Sequence, residues 1–233
     1  MFTLLKSNLF ILIGILATAQ ALAEESKAYV QINAGAAFAQ PFSESFEQCF
    51  SLFGCNAFSY KEKTDTGFAA SVALGYRLTD YFRLEGEGMY QSNDLNHFTA
   101  TRTFGGTTSN FSGSIKGERE RTAFLLNAYY DFKNSTSFTP YLTAGAGGYH
   151  LRIKSSRFNP RPSRENDLDF AWQVGAGVNY QLNDRISFDL KYRYFSGTNA
   201  EVTIPASNPF SRDITELYDV GDHQVMAGIR VGF

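Results

Sequence analysis

The sequence predicts an all-β chain: an eight-stranded antiparallel up-and-down transmembrane β-barrel, preceded by a cleaved signal peptide. Three observations predict it. Bulky apolar residues alternate with small or polar ones at a period of two along eight segments. The connections alternate between short turns and long polar stretches, as in barrels whose long loops lie on one side of a membrane. The N-terminus carries a short apolar run with leader flanks, and no later stretch is apolar for long enough to form a transmembrane helix.

The leader covers residues 1–23. Lys6 supplies its positive end, Leu9 to Ala19 its apolar run, and Ala21-Leu22-Ala23 a small-residue cleavage site before Glu24-Glu25-Ser26. Cleavage is therefore expected between Ala23 and Glu24, leaving residues 24–233 as one barrel domain.

The strands follow in order. Lys27–Phe38 puts Val30, Ile32, Ala34 and Phe38 on one face and Gln31, Asn33 and Gly35 on the other. Thr66–Leu78 alternates Phe68, Ala70, Val72, Leu74 and Tyr76 with Ala69, Ser71, Gly75 and Arg77. Phe82–Gln91 sets Phe82, Leu84 and Tyr90 against Arg83, Glu85, Glu87 and Gln91. Arg121–Phe132 sets Phe124, Leu126, Ala128, Tyr130 and Phe132 against Asn127 and Asp131. Phe138–Leu151 is read with Leu142, Ala144 and Ala146 outward. Phe170–Leu182, Ile186–Phe195 and His223–Phe233 complete the eight, the last two carrying Asp189, Lys191, Arg193 and Arg230 on their polar faces. Thr79–Tyr81, Lys133–Ser137 and Asn183–Arg185 are short turns; Ala39–Asp65, Ser92–Glu120, Arg152–Asp169 and Ser196–Asp222 are expected as long polar loops.

Composition excludes other classes. The formal net charge of −2 becomes −3 once Lys6 is removed with the leader, which gives no basic footprint for nucleic acid. Aromatics make up 15% of the chain, and many (Tyr76, Tyr81, Phe82, Tyr90, Tyr130, Phe132, Phe138, Tyr180, Phe188, Tyr192, Tyr194) lie near strand ends, where interfacial girdles belong. A soluble up-and-down barrel would turn its bulky set inward. Here the bulky set is too large for so narrow an interior and the polar set is small, which favours lipid outside.

The polar faces define the candidate site residues. Arg77, Arg83, Glu85, Glu87, Asp131, Asp189, Lys191, Arg193 and Arg230 are expected to form a compensated charge network in the lumen, because unpaired charge in a narrow interior is costly. It reads as a plug that fixes register, or as a gate for ions if the pairs switch. Cys49 and Cys55 share the first long loop and are expected to form a small disulfide in an oxidising compartment. Arg152, Lys154, Arg157, Arg161 and Arg164 form a basic stretch suited to an anionic ligand or lipid headgroup. His97, His150 and His223 map to the outer rim, where they could cluster for a metal or pH response. Ser92, Ser112 and Ser196 are the rim serines a lipid hydrolase would need beside such a histidine, but no nucleophile motif accompanies them. No catalytic residue and no cofactor or metal motif is assigned.

Two stretches carry a family resemblance: Phe138-Thr139-Pro140-Tyr141-Leu142-Thr143-Ala144-Gly145-Ala146-Gly147 and Trp172-Gln173-Val174-Gly175-Ala176-Gly177-Val178-Asn179-Tyr180-Gln181-Leu182. They resemble the outer-membrane β-barrel superfamily, with the OmpA-like transmembrane domains and the opacity-type and surface-antigen proteins of Gram-negative bacteria. Ile186 to Tyr194 is similar to that family's penultimate strand, and Val231-Gly232-Phe233 looks like its C-terminal assembly signal. The resemblance implies an outer-membrane location with the long loops outside, lipid and lipopolysaccharide around the barrel, and the barrel-assembly machinery reading Phe233. It also implies a surface role in adhesion, antigenicity or membrane integrity, with a host or surface ligand at the loops. The alternatives are a narrow pore or carrier of small hydrophobic solutes and, third, a lipid-modifying enzyme.

Overall fold

The computed structural model describes residues 27–40, 42–50, 54–104, 107–155, 161–162, 168–198, 200–204, 214–218 and 221–233. The expected leader, its expected cleavage site between Ala23 and Glu24, and Arg157 and Arg164 lie outside them. The strands in chain order are β1 (Ala28–Ala39), β2 (Phe42–Phe50), β3 (Gly54–Thr64), β4 (Gly67–Arg77), β5 (Phe82–Phe104), β6 (Thr107–Asp131), β7 (Phe138–Ser155), β8 (Arg161–Pro162), β9 (Asp169–Gln181), β10 (Ile186–Gly197), β11 (Ala200–Ile204), β12 (Ile214–Tyr218) and β13 (Asp222–Gly232).

Eight of these form the barrel. Each pairs antiparallel with its neighbour in the order β1, β4, β5, β6, β7, β9, β10, β13, and β13 returns to β1, so no edge remains in the membrane. Closure satisfies every backbone group where no water is available. Register follows the pleat. Val30 faces Val231 and Leu74, and Ile32 faces Ile229 and Val72, all on the lipid side. The short turns are set by polar side chains that bond their own backbone. Thr79 Oγ1 accepts from the amides of Tyr81 and Phe82 at 3.2 and 3.0 Å. Asn183 Oδ1 accepts from Arg185 and Ile186 at 3.0 and 2.8 Å.

The outer wall is apolar and bare: Phe124 is 63% and Leu126 64% exposed, which only a lipid surround makes favourable. Aromatic rings gather at both ends of this wall. Phe82, Phe132 and Tyr81 surround Tyr130 near the short turns, with ring centroids 5.1, 5.0 and 6.4 Å away. At the other end Trp172 meets Tyr194 at 5.7 Å, and Tyr194 meets His223 at 5.1 Å.

The long connections are not simple polar loops. β5 and β6 run on to 23 and 25 residues, well beyond the expected ends at Gln91 and Arg121. Ala39–Asp65 holds the β2–β3 hairpin, and β8, β11 and β12 form a separate three-stranded sheet. The physical reason is that period-two alternation of apolar and polar residues marks a strand only where its two faces meet different media. Above the membrane both faces meet water, so apolar residues are scattered among Ser, Thr, Asn and charged residues, and the alternation along any one strand is too sparse to mark it.

Candidate functional site: a filled lumen and the sheet above it

The lumen is built from the inward half of every alternating strand. Near the short turns, Arg83 Nε donates to both oxygens of Asp131 at 3.1 and 3.0 Å, and its Nη1 donates to the Tyr29 hydroxyl at 3.0 Å. The guanidinium lies 3.9 Å from the ring centre of Tyr129 and 4.9 Å from that of Tyr141. Tyr29 and Tyr129 both donate to Glu85, at 3.0 and 2.7 Å. Asp189 accepts from Tyr141 at 2.7 Å and from Arg230 at 3.2 Å.

A middle layer centres on Glu87. Arg193 Nη1 donates to its two oxygens at 2.9 and 2.7 Å, Asn127 donates at 2.8 Å, and Lys191 Nζ stands 3.7 Å away. Gln173 donates to Asn127 and Thr143 at 3.0 and 3.1 Å. The outer layer centres on Asp222, which pairs with Arg121, lies 4.0 Å from Arg119 and accepts from Gln91 at 3.2 Å. Met89, Leu125, Tyr149, Leu151 and Phe195 close the upper lumen with buried apolar surface.

Inward glycines sharpen the picture. A methyl group at Gly75 would stand 2.0 Å from the Tyr29 ring, and one at Gly177 2.4 Å from the Tyr141 hydroxyl. Each tyrosine is the direct register partner of its glycine, so the ring lies over bare backbone on the next strand. The glycines leave room that the tyrosines fill.

The structure therefore puts Arg83, Glu85, Glu87, Asp131, Asp189, Lys191, Arg193 and Arg230 inside, all buried. Arg77 differs: it is half-buried at the end of β4, beside the short turn, and none of these ion pairs includes it. Sequence reasoning missed Arg119, Arg121 and Asp222. The first two share inward parity with Asn127 and Asp131 on β6, but buried Ala123 and Leu125 interrupt the polar run between them. Among the described residues the interior also holds five rings (Tyr29, Tyr129, Tyr141, Tyr149 and Phe195) where small polar residues were expected.

The rim candidates do not converge. His97, His150 and His223 sit on β5, β7 and β13; β6 separates the first two, and β9 and β10 separate β7 from β13. His223 instead joins the aromatic belt, with Nδ1 2.7 Å from the Tyr192 hydroxyl. Among the described residues no group of His, Cys, Asp and Glu could hold a metal. The Ser92 hydroxyl donates to Glu118 at 2.7 Å, Ser112 lies on the outer part of β6, and Ser196 pairs with Trp172 across β9 and β10. In the basic stretch, Arg152 is exposed, while Lys154 is held by Glu120 at 2.8 Å and Glu118 at 3.5 Å. That hydrogen bond holds the Glu120 carboxyl below its ordinary range and raises Lys154. Arg161 lies in β8, opposite Thr203 of β11.

The sheet beyond the long-loop rim, in the order β2, β3, β5, β6, has two unlike faces. An extra residue at Asn96 resets the parity of β5: Leu95 pairs with Thr64, and His97 with Lys63. Beyond it, cross-strand rows run Phe42–Glu62–Phe98–Gly113, Glu44–Tyr60–Ala100–Phe111 and Phe46–Phe58–Arg102–Ser109. These rows share the face that continues the barrel's inner wall. The alternate rows, Ser43–Lys61–Thr99–Ser112 and Ser45–Ser59–Thr101–Asn110, carry mostly hydroxyls. Cys49 and Cys55 are direct register partners near the β2–β3 tip.

Residues 9–230 match the outer membrane protein beta-barrel domain family. The chain belongs to that family. It is 28% identical over 187 residues to the outer membrane protein PagN of Salmonella typhimurium, covering 74% of this chain and 75% of that one. A Rickettsia conorii protein provisionally named an adhesin is 23% identical over 220 residues, covering 88% and 82%. Among solved structures, OprG of Pseudomonas aeruginosa superposes with a TM-score of 0.55 at 12% identity, over 88% of this chain and 96% of that one. Neisserial surface protein A superposes at 0.52 and 19% identity, over 88% and 97%. These two likenesses concern the fold. The protein is an outer-membrane surface barrel, and its lipid-facing wall meets outer-membrane lipid.

Proposed function

We propose that this protein is a non-enzymatic adhesin: a closed anchor whose extracellular sheet binds a host-cell or matrix ligand. One contrast carries the reading. The lumen is filled by buried charge pairs and rings, while β5 and β6 continue far past the barrel into a sheet with two distinct faces. A pore or solute carrier needs lumen space, and the tyrosines occupy it. The name of the Rickettsia relative points the same way.

Several further roles fit this reading. Residues 1–23 direct export, with cleavage between Ala23 and Glu24. Phe233, whose amide donates to Ala28 at 3.1 Å, serves as the signal for the barrel-assembly machinery. The facing Cys49 and Cys55 close a disulfide that stiffens the hairpin tip. Arg152, Lys154, Arg157, Arg161 and Arg164 meet lipopolysaccharide phosphates or an anionic ligand, with Glu118 and Glu120 offsetting part of the charge.

The test replaces residues 42–64 and 97–114 with short turns and scores cells for attachment and for permeability to small solutes. Attachment is expected to fall to background with permeability unchanged. Altered permeability with full attachment would show the reading to be wrong.

A further inference from the structure

β6 is paired on both sides only along its lower part. Toward β7 the ladder ends at Gly117 opposite Ser155. Above that point, Thr107 to Ser114 pairs with β5 alone; among the described residues no strand lies on its other side. This edge stands well clear of the rim, since eight residues of strand span roughly 25 Å.

Natural edges are usually guarded by charge, proline, a bulge or shortness. The β2 edge of the same sheet carries Glu44 and Glu47. Thr107-Thr108-Ser109-Asn110-Phe111-Ser112-Gly113-Ser114 holds no charged residue and no proline. Within it Phe111 is 55% exposed and ends the row Glu44–Tyr60–Ala100–Phe111. Thr108, Asn110 and Ser112 are exposed on the opposite face.

We propose that Thr107–Ser114 captures an extended peptide segment of a partner protein as an added strand, a deepening that rests on the adhesin reading. The open side of the edge offers alternating amide and carbonyl groups, which give affinity without regard to sequence. The two faces then dictate the segment's pattern. Alternate residues beside Phe111 are apolar or aromatic, and those beside Asn110 and Ser112 are hydroxyl or amide side chains. A second copy in the same membrane does not fit. Half a turn about the membrane normal exchanges the two faces, so its Phe111 row would lie against the hydroxyl row.

The direct test uses the whole barrel in nanodiscs and a synthetic peptide alternating Val or Phe with Thr or Asn. A control peptide is N-methylated at alternate residues on its pairing side. Amide exchange is followed by NMR. Alternate amides within Thr107–Ser114 are expected to slow about tenfold or more with the first peptide and not with the control. Unchanged exchange, or equal slowing by both peptides, would overturn the proposal. On cells, Ser112→Lys with Ser114→Lys, and separately Phe111→Thr, are expected to cut attachment about tenfold at equal surface level. If these variants attach normally while hairpin removal abolishes attachment, the strand-addition proposal fails and the adhesin reading stands. If hairpin removal also leaves attachment intact, the adhesin reading fails. Clumping of cells that the edge variants abolish while attachment persists would put a second copy on a facing cell in the partner's place and overturn the proposal.

Discussion

Glu87 is the most heavily used carboxylate in the lumen, and its removal has a calculable consequence. It accepts two hydrogen bonds from Arg193 and one from Asn127, and Lys191 stands 3.7 Å away. Neither Glu87 nor Arg193 exposes its side chain. Glu87→Ala leaves two cations facing one another without a counter-charge, which should destabilise the barrel by about 3–5 kcal/mol. Lys191→Met is the informative contrast. Lys191 Nζ is buried with no hydrogen bond among the described residues, so replacing it with an apolar chain should cost less than about 1 kcal/mol or stabilise slightly. The double variant should recover about 1–2 kcal/mol of the Glu87→Ala loss, because only one uncompensated cation remains. Guanidinium unfolding in lipid vesicles reads all three through the single tryptophan, Trp172, which faces lipid. A Glu87→Ala loss under about 1 kcal/mol, or a Lys191→Met loss as large as that of Glu87→Ala, would refute the reasoning.

Other outcomes follow from the same geometry. Gly75→Ala and Gly177→Ala each push a methyl into a tyrosine ring and should cost about 1–3 kcal/mol in the same assay, whereas lipid-facing Gly86→Ala, with open space around it, should be nearly neutral. Non-reducing mass spectrometry should find the Cys49–Cys55 pair two hydrogens lighter than the reduced chain, and Cys49→Ser should speed proteolysis of the hairpin tip while leaving the barrel's unfolding midpoint unchanged. Lys154 lowers Glu120, so the contribution of that cluster is present above the ordinary glutamate range and is lost as pH falls through the depressed value. Lys154 is raised, so its side of the contribution is lost only at strongly alkaline pH. A carboxyl NMR titration should give Glu120 a midpoint below that of a model glutamate, and Lys154→Met should move it upward, with the Tyr90 hydrogen bond and Arg152 still acting on it; an unshifted midpoint in the parent protein would contradict the geometry.

The membrane part of this protein was legible because lipid and lumen impose opposite demands on adjacent residues. Val72 and Leu74 against Ser71 and Gly75, or Phe188 and Leu190 against Asp189 and Lys191, carry facing in the sequence itself. Even the glycine-rich β7 could be oriented from Leu142, Ala144 and Ala146. The lumen charges followed from the same parity, but their partners did not. Arg121 and Asp222 meet through an interaction between residues 101 positions apart, and nothing local announces it. The inward tyrosines were hidden for a related reason: a ring fits the narrow interior only because the next strand supplies a glycine, a relation visible in register and not along the chain. Above the rim the contrast between faces is too sparse along any single strand to be read there. Thr99 to Thr103 and Thr107 to Ser112 look like loop residues, although they form one ladder. Only register brings Phe42, Phe58, Phe98 and Phe111 onto one face.

The claim that the barrel is an inert anchor and that recognition resides in the sheet above it is tested most directly by transplantation. Residues 42–64 and 92–120, the β2–β3 hairpin and the outer parts of β5 and β6, are grafted in register onto an eight-stranded barrel that does not promote attachment, and cells displaying the graft are scored for binding to host cells and matrix-coated surfaces. The account predicts that the graft confers attachment approaching that of the parent protein, and that the parent barrel stripped of these residues has none. A displayed, folded graft that fails to attach, while the stripped parent barrel still attaches, would contradict it.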